Sequence, residues 1–188
     1  MIDDSRLALF LMLGQTATKA LSQHPGVGNS RPLMISESYD ISLATPALVC
    51  QATATAEVYR LFFVFENYLR EIIVRLLSKD GTESWWDNIP GDVQQEIMDI
   101  AETEEMKSWM ALGSRDKSAL MTYPQMLKVI DDKWKTHFAD LLRDKALIQE
   151  SRLLTHLRNT VCHMSPISEE EVERIKQVIR DWFRIVSP

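Results

Sequence analysis

Apolar residues recur every three or four positions along most of this chain, which is the spacing of one face of an α-helix. Glycine and proline, which interrupt such runs, number only 6 and 7 and fall mostly between them. The pattern therefore predicts an all-α fold. Helices are expected over residues 3–23, 47–79 and 91–112, from Thr122 or Tyr123 onward, over residues 144–163, and after Ser168.

The longest apolar run predicts a central helix over residues 47–79. Its middle, residues 61–65, is apolar on every side, and such a helix is expected to be surrounded by protein. Glu66 and Arg70 follow at i and i+4, the spacing at which opposite charges meet on one helix face. We therefore expect this helix to lie in the core and to carry one polar pair.

The last two predicted helices form an antiparallel hairpin over residues 144–186. Ser165-Pro166 ends the first of them, because the residue before a proline avoids helical geometry. Ser168 and Glu171 have the spacing of a capping box, which opens the second. Buried stripes are expected at Leu147, Leu154, Leu157 and Val161 in the first helix and at Val172, Ile175, Ile179, Trp182 and Val186 in the second.

A break in the pattern separates the first helix from the rest of the chain. Residues 24–32 contain glycines and prolines, and residues 33–46 are irregular, with a short extended piece over residues 39–43. The sequence thus predicts an N-terminal helical arm and linker over residues 1–45, followed by a helical domain over residues 46–188.

A polar stripe lies opposite the leucine stripe on the penultimate helix: Arg152, His156, Asn159 and His163, at steps of four, three and four. On an ideal helix Arg158 lies about 100° round from Asn159 and roughly 140° from His163, so contact between Arg158 and His163 within one chain is not assured. One interpretation is a solvated helix face. The other is a catalytic pair, because an imidazole exchanges protons near neutral pH and a guanidinium binds phosphate.

Composition narrows the class of protein. The 188 residues, 45% of them hydrophobic and 26% charged, fit one soluble globular domain with an appendage. The net charge of −6 argues against broad phosphate binding but allows a local basic cleft.

The acidic start and the short apolar run near it predict a cytoplasmic protein without membrane association. Cys50 and Cys162 are expected to be buried thiols, and the four histidines lack the clustering of a zinc site.

The segment Arg158-Asn159-Thr160-Val161-Cys162-His163 resembles the Arg-Asn-x-x-x-His signature of the HEPN superfamily (higher eukaryotes and prokaryotes nucleotide-binding domains). Also similar are its place in the penultimate helix, the closing helix that follows, and a polar residue, Glu66, in an earlier core helix. With residues 65–70, Trp85-Trp86 and Tyr123, the motif resembles a branch of HEPN domains found in RNA-surveillance endonucleases and in bacterial defence or toxin proteins. The likeness covers about residues 50–186.

The resemblance implies an HEPN-like helical bundle that acts as a metal-independent endoribonuclease, with no cofactor. RNA supplies its own nucleophile, the 2′-hydroxyl. His163 is then the general base or acid, and Arg158 holds the scissile phosphate. Asn159 orients His163 or the phosphate by hydrogen bonding. Glu66 positions Arg158 or, more remotely, takes part in proton transfer. The implied biological roles are those of a toxin, an antiviral-defence protein or an RNA-processing enzyme.

The resemblance also implies contacts beyond the catalytic residues. Arg152, His156 and Arg70 are the residues implied to bind the RNA. The partners implied are the RNA substrate, a second copy of the chain that completes a composite active site, and an antitoxin or regulatory protein. A dimer would also bring Arg158 of one chain towards His163 of the other, which removes the angular difficulty within one helix.

Cys162 departs from the family pattern, in which a small residue is common at this position. We expect it to be packed inside as a tolerated substitution. A nucleophilic Cys162–His163 pair is the sharper alternative, but adjacent helix residues point about 100° apart. Two other functions stay open: a non-catalytic HEPN-like module that dimerises or binds a protein or nucleotide, and a helical scaffold unrelated to HEPN domains.

Overall fold

The structure is a computed structural model that describes residues 4–23, 32–78, 84–106 and 116–186. These residues are predominantly helical, which confirms the predicted all-α class. The helices are α1 (Asp4–Gln23), α2 (Pro46–Leu77), α3 (Gly91–Met106), α4 (Tyr123–Asp132), α5 (Ala146–Cys162) and α6 (Glu169–Val186). Short 3₁₀ turns cover Ile41–Leu43, Trp85–Asn88 and Lys117–Leu120, and a π-helical turn covers Trp134–Phe138.

Local capping residues set the helix starts much as the sequence predicts. The backbone N–H of Thr122 donates to Gln125 Oε1 at 2.8 Å, so α4 begins in a capping box. Ser168 Oγ accepts from the backbone N–H of Glu171 at 3.4 Å before α6. The predicted end of the third helix at residue 112, and nearly all of the predicted break over residues 24–32, lie outside the described residues.

The chain divides into two compact units, residues 1–58 with 164–166 and residues 59–163 with 167–188. The first unit contains α1, the beginning of α2 and a small antiparallel hairpin of β1 (Met34–Ser36) and β2 (Tyr39–Asp40). Asp40 Oδ1 accepts from the backbone N–H of Ser42 at 2.9 Å, which caps the 3₁₀ turn after the hairpin. The boundary near residue 45 stays a prediction.

The second unit is a helical bundle whose core contains the C-terminal part of α2. Phe65 of α2 is fully buried and contacts Tyr123 of α4 and Trp182 of α6, with ring centroids 6.1 and 5.9 Å apart. Tyr68 of α2 stacks on Phe183 of α6 at 4.3 Å. These aromatic contacts hold α2 against α4 and α6.

Ser151 of α5 connects three helices through buried hydrogen bonds. Its carbonyl oxygen accepts from the Tyr123 hydroxyl at 2.8 Å, and its Oγ accepts from Trp182 Nε1 at 2.5 Å. Ser151 Oγ also donates to the carbonyl oxygen of Leu147 at 2.8 Å. Burial raises the pKa of Tyr123, so its hydroxyl stays protonated and can donate. Each of these side-chain polar groups therefore has a hydrogen-bond partner, which offsets the free-energy cost of removing it from water.

The prediction that residues 61–65 of α2 are surrounded by protein is wrong. Phe62 and Phe65 are buried, but Phe63 and Val64 are 58% and 56% exposed. The apolar run therefore has one outward face, which hydropathy alone does not reveal.

By length and apolar composition α2 is the one helix among the described residues that could cross a membrane, yet its Glu66 and Arg70 are bonded to other parts of the helical domain.

Asp131 at the end of α4 ties that helix to α5. Its carboxylate accepts hydrogen bonds from Lys145 Nζ and, at 2.6 Å, from Arg152 Nη2. The hydrogen bond from Lys145, followed by that from Arg152, holds the pKa of Asp131 below its ordinary value of 3.8, against the opposite effect of partial burial. The carboxylate is 19% exposed, while both cations are about two-fifths exposed.

We expect Asp131→Asn to lower the free energy of unfolding by about 1 kcal/mol at pH 7, because its exposed partners are partly screened by solvent. The folded-state pKa is depressed, so the stabilisation is complete above about pH 4 and is lost as the pH falls through the folded value. Urea unfolding at pH 7 and pH 3 checks this, with exposed Asp140→Asn as the control. An equal difference between Asp131→Asn and the unsubstituted chain at both pH values would contradict it.

Candidate active site

Glu66 of α2 and Arg158 of α5 form an ion pair inside the second unit. Arg158 Nε donates to Glu66 Oε1 at 2.8 Å. The Glu66 side chain is 14% exposed and the Arg158 side chain is 30% exposed. In the described part of the chain, the two terminal nitrogens of Arg158 have no hydrogen-bond partner. The carboxylate thus fixes the guanidinium through one nitrogen and leaves two for an external acceptor.

The surroundings of Arg158 keep it positively charged. The hydrogen bond from Glu66 raises the pKa of the Arg158 guanidinium above its ordinary value, and partial burial opposes this effect. The negative charge of Glu66 raises this pKa further, and the Cys162 and Tyr59 side chains are near enough to interact electrostatically with the guanidinium. A cation that is held in place and half withdrawn from water is well suited to bind a phosphate oxygen.

The predicted polar stripe of α5 is exposed. The side chains of His156, Asn159 and His163 all face solvent. His163 is the C-cap of α5, and its backbone N–H donates to the carbonyl oxygen of Asn159 at 2.9 Å. Met164 follows with a φ of 59°, a left-handed conformation that turns the chain out of the helix.

Arg158 and His163 occupy different faces of α5. Within the described residues, neither a hydrogen bond nor an ion pair joins the His163 side chain to Arg158, Asn159 or Glu66. Five residues of an α-helix correspond to roughly 140° of rotation, which places Arg158 towards α2 when His163 faces solvent. The structure therefore brings Glu66 and Arg158 together within one chain, and among the described residues it bonds the His163 side chain to neither of them.

Arg70 and Arg152, both predicted to bind RNA, are engaged within the domain. Arg70 Nε donates to the carbonyl oxygen of Ser118 at 2.6 Å, its Nη1 donates to Asn67 at 2.8 Å, and its Nη2 donates to Met121 at 3.4 Å. Arg152 is bonded to Asp131, as described above. Arg70 is thus not the ion-pair partner of Glu66, because Glu66 pairs with Arg158. The RNA-binding roles of Arg70, Arg152 and exposed His156 stay predictions.

Two residues near the ion pair differ from what the sequence indicates. Cys162 is exposed, so the expectation that it is packed inside is wrong; it is the last residue of α5, four positions after Arg158. Tyr59 of α2 was not expected near the site at all. The signal was present in the sequence, because Tyr59 and Glu66 are seven residues apart and share a helix face.

Other candidate sites are less suited to a phosphate. Among the residues that the structure describes, no group of three His, Cys, Asp or Glu side chains is placed to hold a metal ion. A cavity of about 580 Å³ lies between residues 140–150 and the end of α6. Its charged lining is mostly acidic, with Asp140, Asp144, Glu150 and Asp181 against Arg143, and such a lining repels a phosphate.

These features define a class of protein. The penultimate helix ends in Arg158-Asn159-Thr160-Val161-Cys162-His163, and a carboxylate of an earlier helix holds its arginine, an arrangement similar to that of HEPN domains. A model of the Swt1-like HEPN family matches residues 60–187, more than half of the chain, and the chain belongs to that family. Comparisons with curated proteins and with solved structures gave no significant match.

Proposed function

We propose that this protein is a metal-independent endoribonuclease of the HEPN type. In the proposed reaction the 2′-hydroxyl of RNA attacks the adjacent phosphorus. The 2′ O–P bond forms as the P–O5′ bond breaks, which gives a 2′,3′-cyclic phosphate and a 5′-hydroxyl end. His163 takes the proton of the 2′-hydroxyl while water protonates the departing 5′ oxygen, or His163 protonates the 5′ oxygen while water takes the proton of the 2′-hydroxyl. Arg158 stabilises the negative charge on the phosphate oxygens.

The observation that carries the proposal is the arrangement of the Glu66–Arg158 pair. Glu66 accepts from Nε at 2.8 Å and so leaves both terminal amino groups of Arg158 for the two oxygens of a phosphate. A guanidinium fixed in advance loses little conformational entropy when it binds, and its charge is more effective in a partly desolvated site. The 30% exposure of the Arg158 side chain leaves it accessible to such a phosphate.

His163 enters the proposed site from a second copy of the chain. Because Arg158 and His163 are separated by roughly 140° around an ideal helix, two chains bring them to one phosphate more readily than one chain does. Two α5 helices related by a two-fold axis would place Arg158 of one chain opposite His163 of the other, twice per dimer. Asn159, exposed beside His163, orients the imidazole or the phosphate in this arrangement.

We expect the purified protein to cleave tRNA or mRNA in the presence of EDTA and to leave 2′,3′-cyclic phosphate ends. Replacing the ribose at the cleaved position by 2′-deoxyribose removes the nucleophile, so cleavage there should fall below detection. Mass spectrometry of the product ends provides the measurement. Cleavage of the 2′-deoxy substrate at an unchanged rate would contradict the proposed reaction.

A second candidate function is a non-catalytic HEPN module that dimerises or binds a protein or nucleotide. The separation of His163 from Arg158 within one chain favours it, since the Glu66–Arg158 pair alone can bind an anion without cleaving it. This function predicts stable association with RNA or nucleotide but no EDTA-resistant cleavage.

The biological setting follows from the proposed activity. An RNA-cleaving enzyme is harmful to the cell that makes it unless something restrains it, so we infer an antitoxin or another regulatory protein as a partner. Roles in toxicity, antiviral defence or RNA processing all fit this chemistry. We place the protein in the cytoplasm, where its RNA substrate is present, and assign residues 1–45 as an arm outside the catalytic domain.

A further inference from the structure

Tyr59 and Phe63 form an exposed aromatic pair on α2. Their ring centroids are 6.3 Å apart and their planes are tilted by 34°. Tyr59 is 53% exposed and Phe63 is 58% exposed, whereas the neighbouring Phe62 and Phe65 are buried. Folding therefore uses Phe62 and Phe65 for the core and leaves two rings facing solvent. Two exposed rings in contact offer an apolar surface on which another flat group can stack.

The pair lies on the same helix face as the anchor of the candidate active site. Tyr59, Phe63 and Glu66 are at positions i, i+4 and i+7 of α2, which is the repeat of one face. The axial rise from Phe63 to Glu66 is about 4.5 Å, and that from Tyr59 to Glu66 is about 10 Å. The Tyr59 side chain is also near enough to Arg158 for the two to interact electrostatically. Tyr59 thus lies near Arg158, and Phe63 contacts Tyr59.

The charge of the protein limits how it can hold RNA. With a net charge of −6, and with Arg70 and Arg152 bonded within the domain, long-range attraction for a phosphate backbone is weak. Binding must then come from short-range contacts. Unpaired bases gain such contacts by stacking on exposed aromatic rings, which is favourable for every base because each has a π-face.

We propose that Tyr59 and Phe63 are a stacking platform for an unpaired RNA base next to the phosphate that Arg158 binds. This inference rests on the proposed function, and it specifies the substrate as single-stranded at the cleaved position, since a base within a duplex is already stacked and paired. A base on the platform would fix the nucleotide beside the guanidinium. Affinity would depend only weakly on salt, because about one phosphate is neutralised.

The test uses a short single-stranded 2′-O-methyl RNA, which cannot be cleaved because its 2′ oxygen is blocked, with 2-aminopurine placed at each position in turn. We expect the fluorescence of one 2-aminopurine to be quenched on binding. Tyr59→Ala and Phe63→Ala should each weaken binding roughly tenfold or more and remove the quenching. Tyr59→Phe and Phe63→Trp should keep both. Met98→Ala, an apolar residue of α3 that is 52% exposed, is the matched control.

Several outcomes separate the possibilities. Unchanged affinity and quenching in Tyr59→Ala and Phe63→Ala overturn the platform. The platform is also overturned if sedimentation shows that these variants are monomers while the unsubstituted chain is a dimer, and the quenching is unchanged. A second copy of the chain would then cover this face. If cleavage needs Arg158 and His163 but not the two aromatic residues, the platform fails and the proposed activity stands. If the protein cleaves nothing but the quenching depends on both rings, the activity fails and the platform stands.

Discussion

Replacing His163 with alanine is expected to reduce EDTA-resistant RNA cleavage roughly 10²- to 10⁴-fold, the usual contribution of a general acid or base. Replacing Arg158 with alanine should reduce it roughly 10²- to 10³-fold, as for the removal of a donor that stabilises transition-state charge. The physical reason differs between the two: one substitution removes the proton carrier, and the other removes the cation that faces the phosphate. Single-turnover rates at saturating RNA measure both losses without interference from binding.

The controls for these variants follow from the structure. Arg180→Ala removes an exposed arginine of α6, whose only described bond is to Gln177, and should leave cleavage at the rate of the unsubstituted chain. Because His163 is exposed, His163→Ala should keep the helical content and the midpoint of thermal unfolding unchanged. Full cleavage by either His163→Ala or Arg158→Ala would remove that residue from the proposed reaction.

Glu66→Ala is expected to have the next largest effect, a loss of about 100-fold in the cleavage rate, because a guanidinium that is no longer held spends little time in the productive position. Glu66→Gln keeps an oxygen that can accept from Arg158 Nε and loses the charge, so about tenfold is expected from weaker hydrogen bonding. Glu66 is a positioning residue in this account. The loss should therefore fall on the single-turnover rate more than on RNA affinity.

A stability measurement tests the ion pair on which the positioning role of Glu66 depends. Arg158→Ala leaves the Glu66 carboxylate, which is 14% exposed, without its partner. We expect a coupling free energy of roughly 1–2 kcal/mol between Glu66→Ala and Arg158→Ala in urea unfolding. This is less than for a fully buried pair, because Arg158 is 30% exposed and partly screened. Additive effects of the two substitutions would show that the ion pair contributes nothing, and the positioning role would then fail.

Much of the fold could be predicted because the start, the end and the apolar face of a helix are determined by residues close together in sequence. Ser168 and Glu171 mark the start of α6, and Ser165-Pro166 marks the end of the helix before it. The ion pair could be predicted only through the resemblance to the HEPN superfamily. Glu66 and Arg158 are 92 positions apart, and spacing within one helix says nothing about contacts between helices. From spacing alone, Arg70 was the nearer partner for Glu66.

The features that the sequence did not reveal depend on which neighbours cover each helix face. Residues 61–65 are uniformly apolar, so periodicity cannot separate buried Phe62 from exposed Phe63. Cys162 continues a helix with a buried stripe, but its own side chain is exposed. Ser151 differs from its prediction in the other direction. A serine in the middle of a helix is usually predicted to be exposed, but Ser151 accepts hydrogen bonds from Tyr123 and Trp182 in the core. Whether each of these side chains is buried or exposed depends on how the helices pack against one another.

The most direct test of the composite site mixes two inactive proteins. Arg158→Ala and His163→Ala are combined, unfolded and refolded together, and assayed for RNA cleavage in EDTA. If Arg158 of one chain acts with His163 of the other, half of the dimers are mixed and each of those has one intact site, so about a quarter of the original rate should return. A mixture no more active than either variant alone would contradict the joint action of these two residues across a dimer.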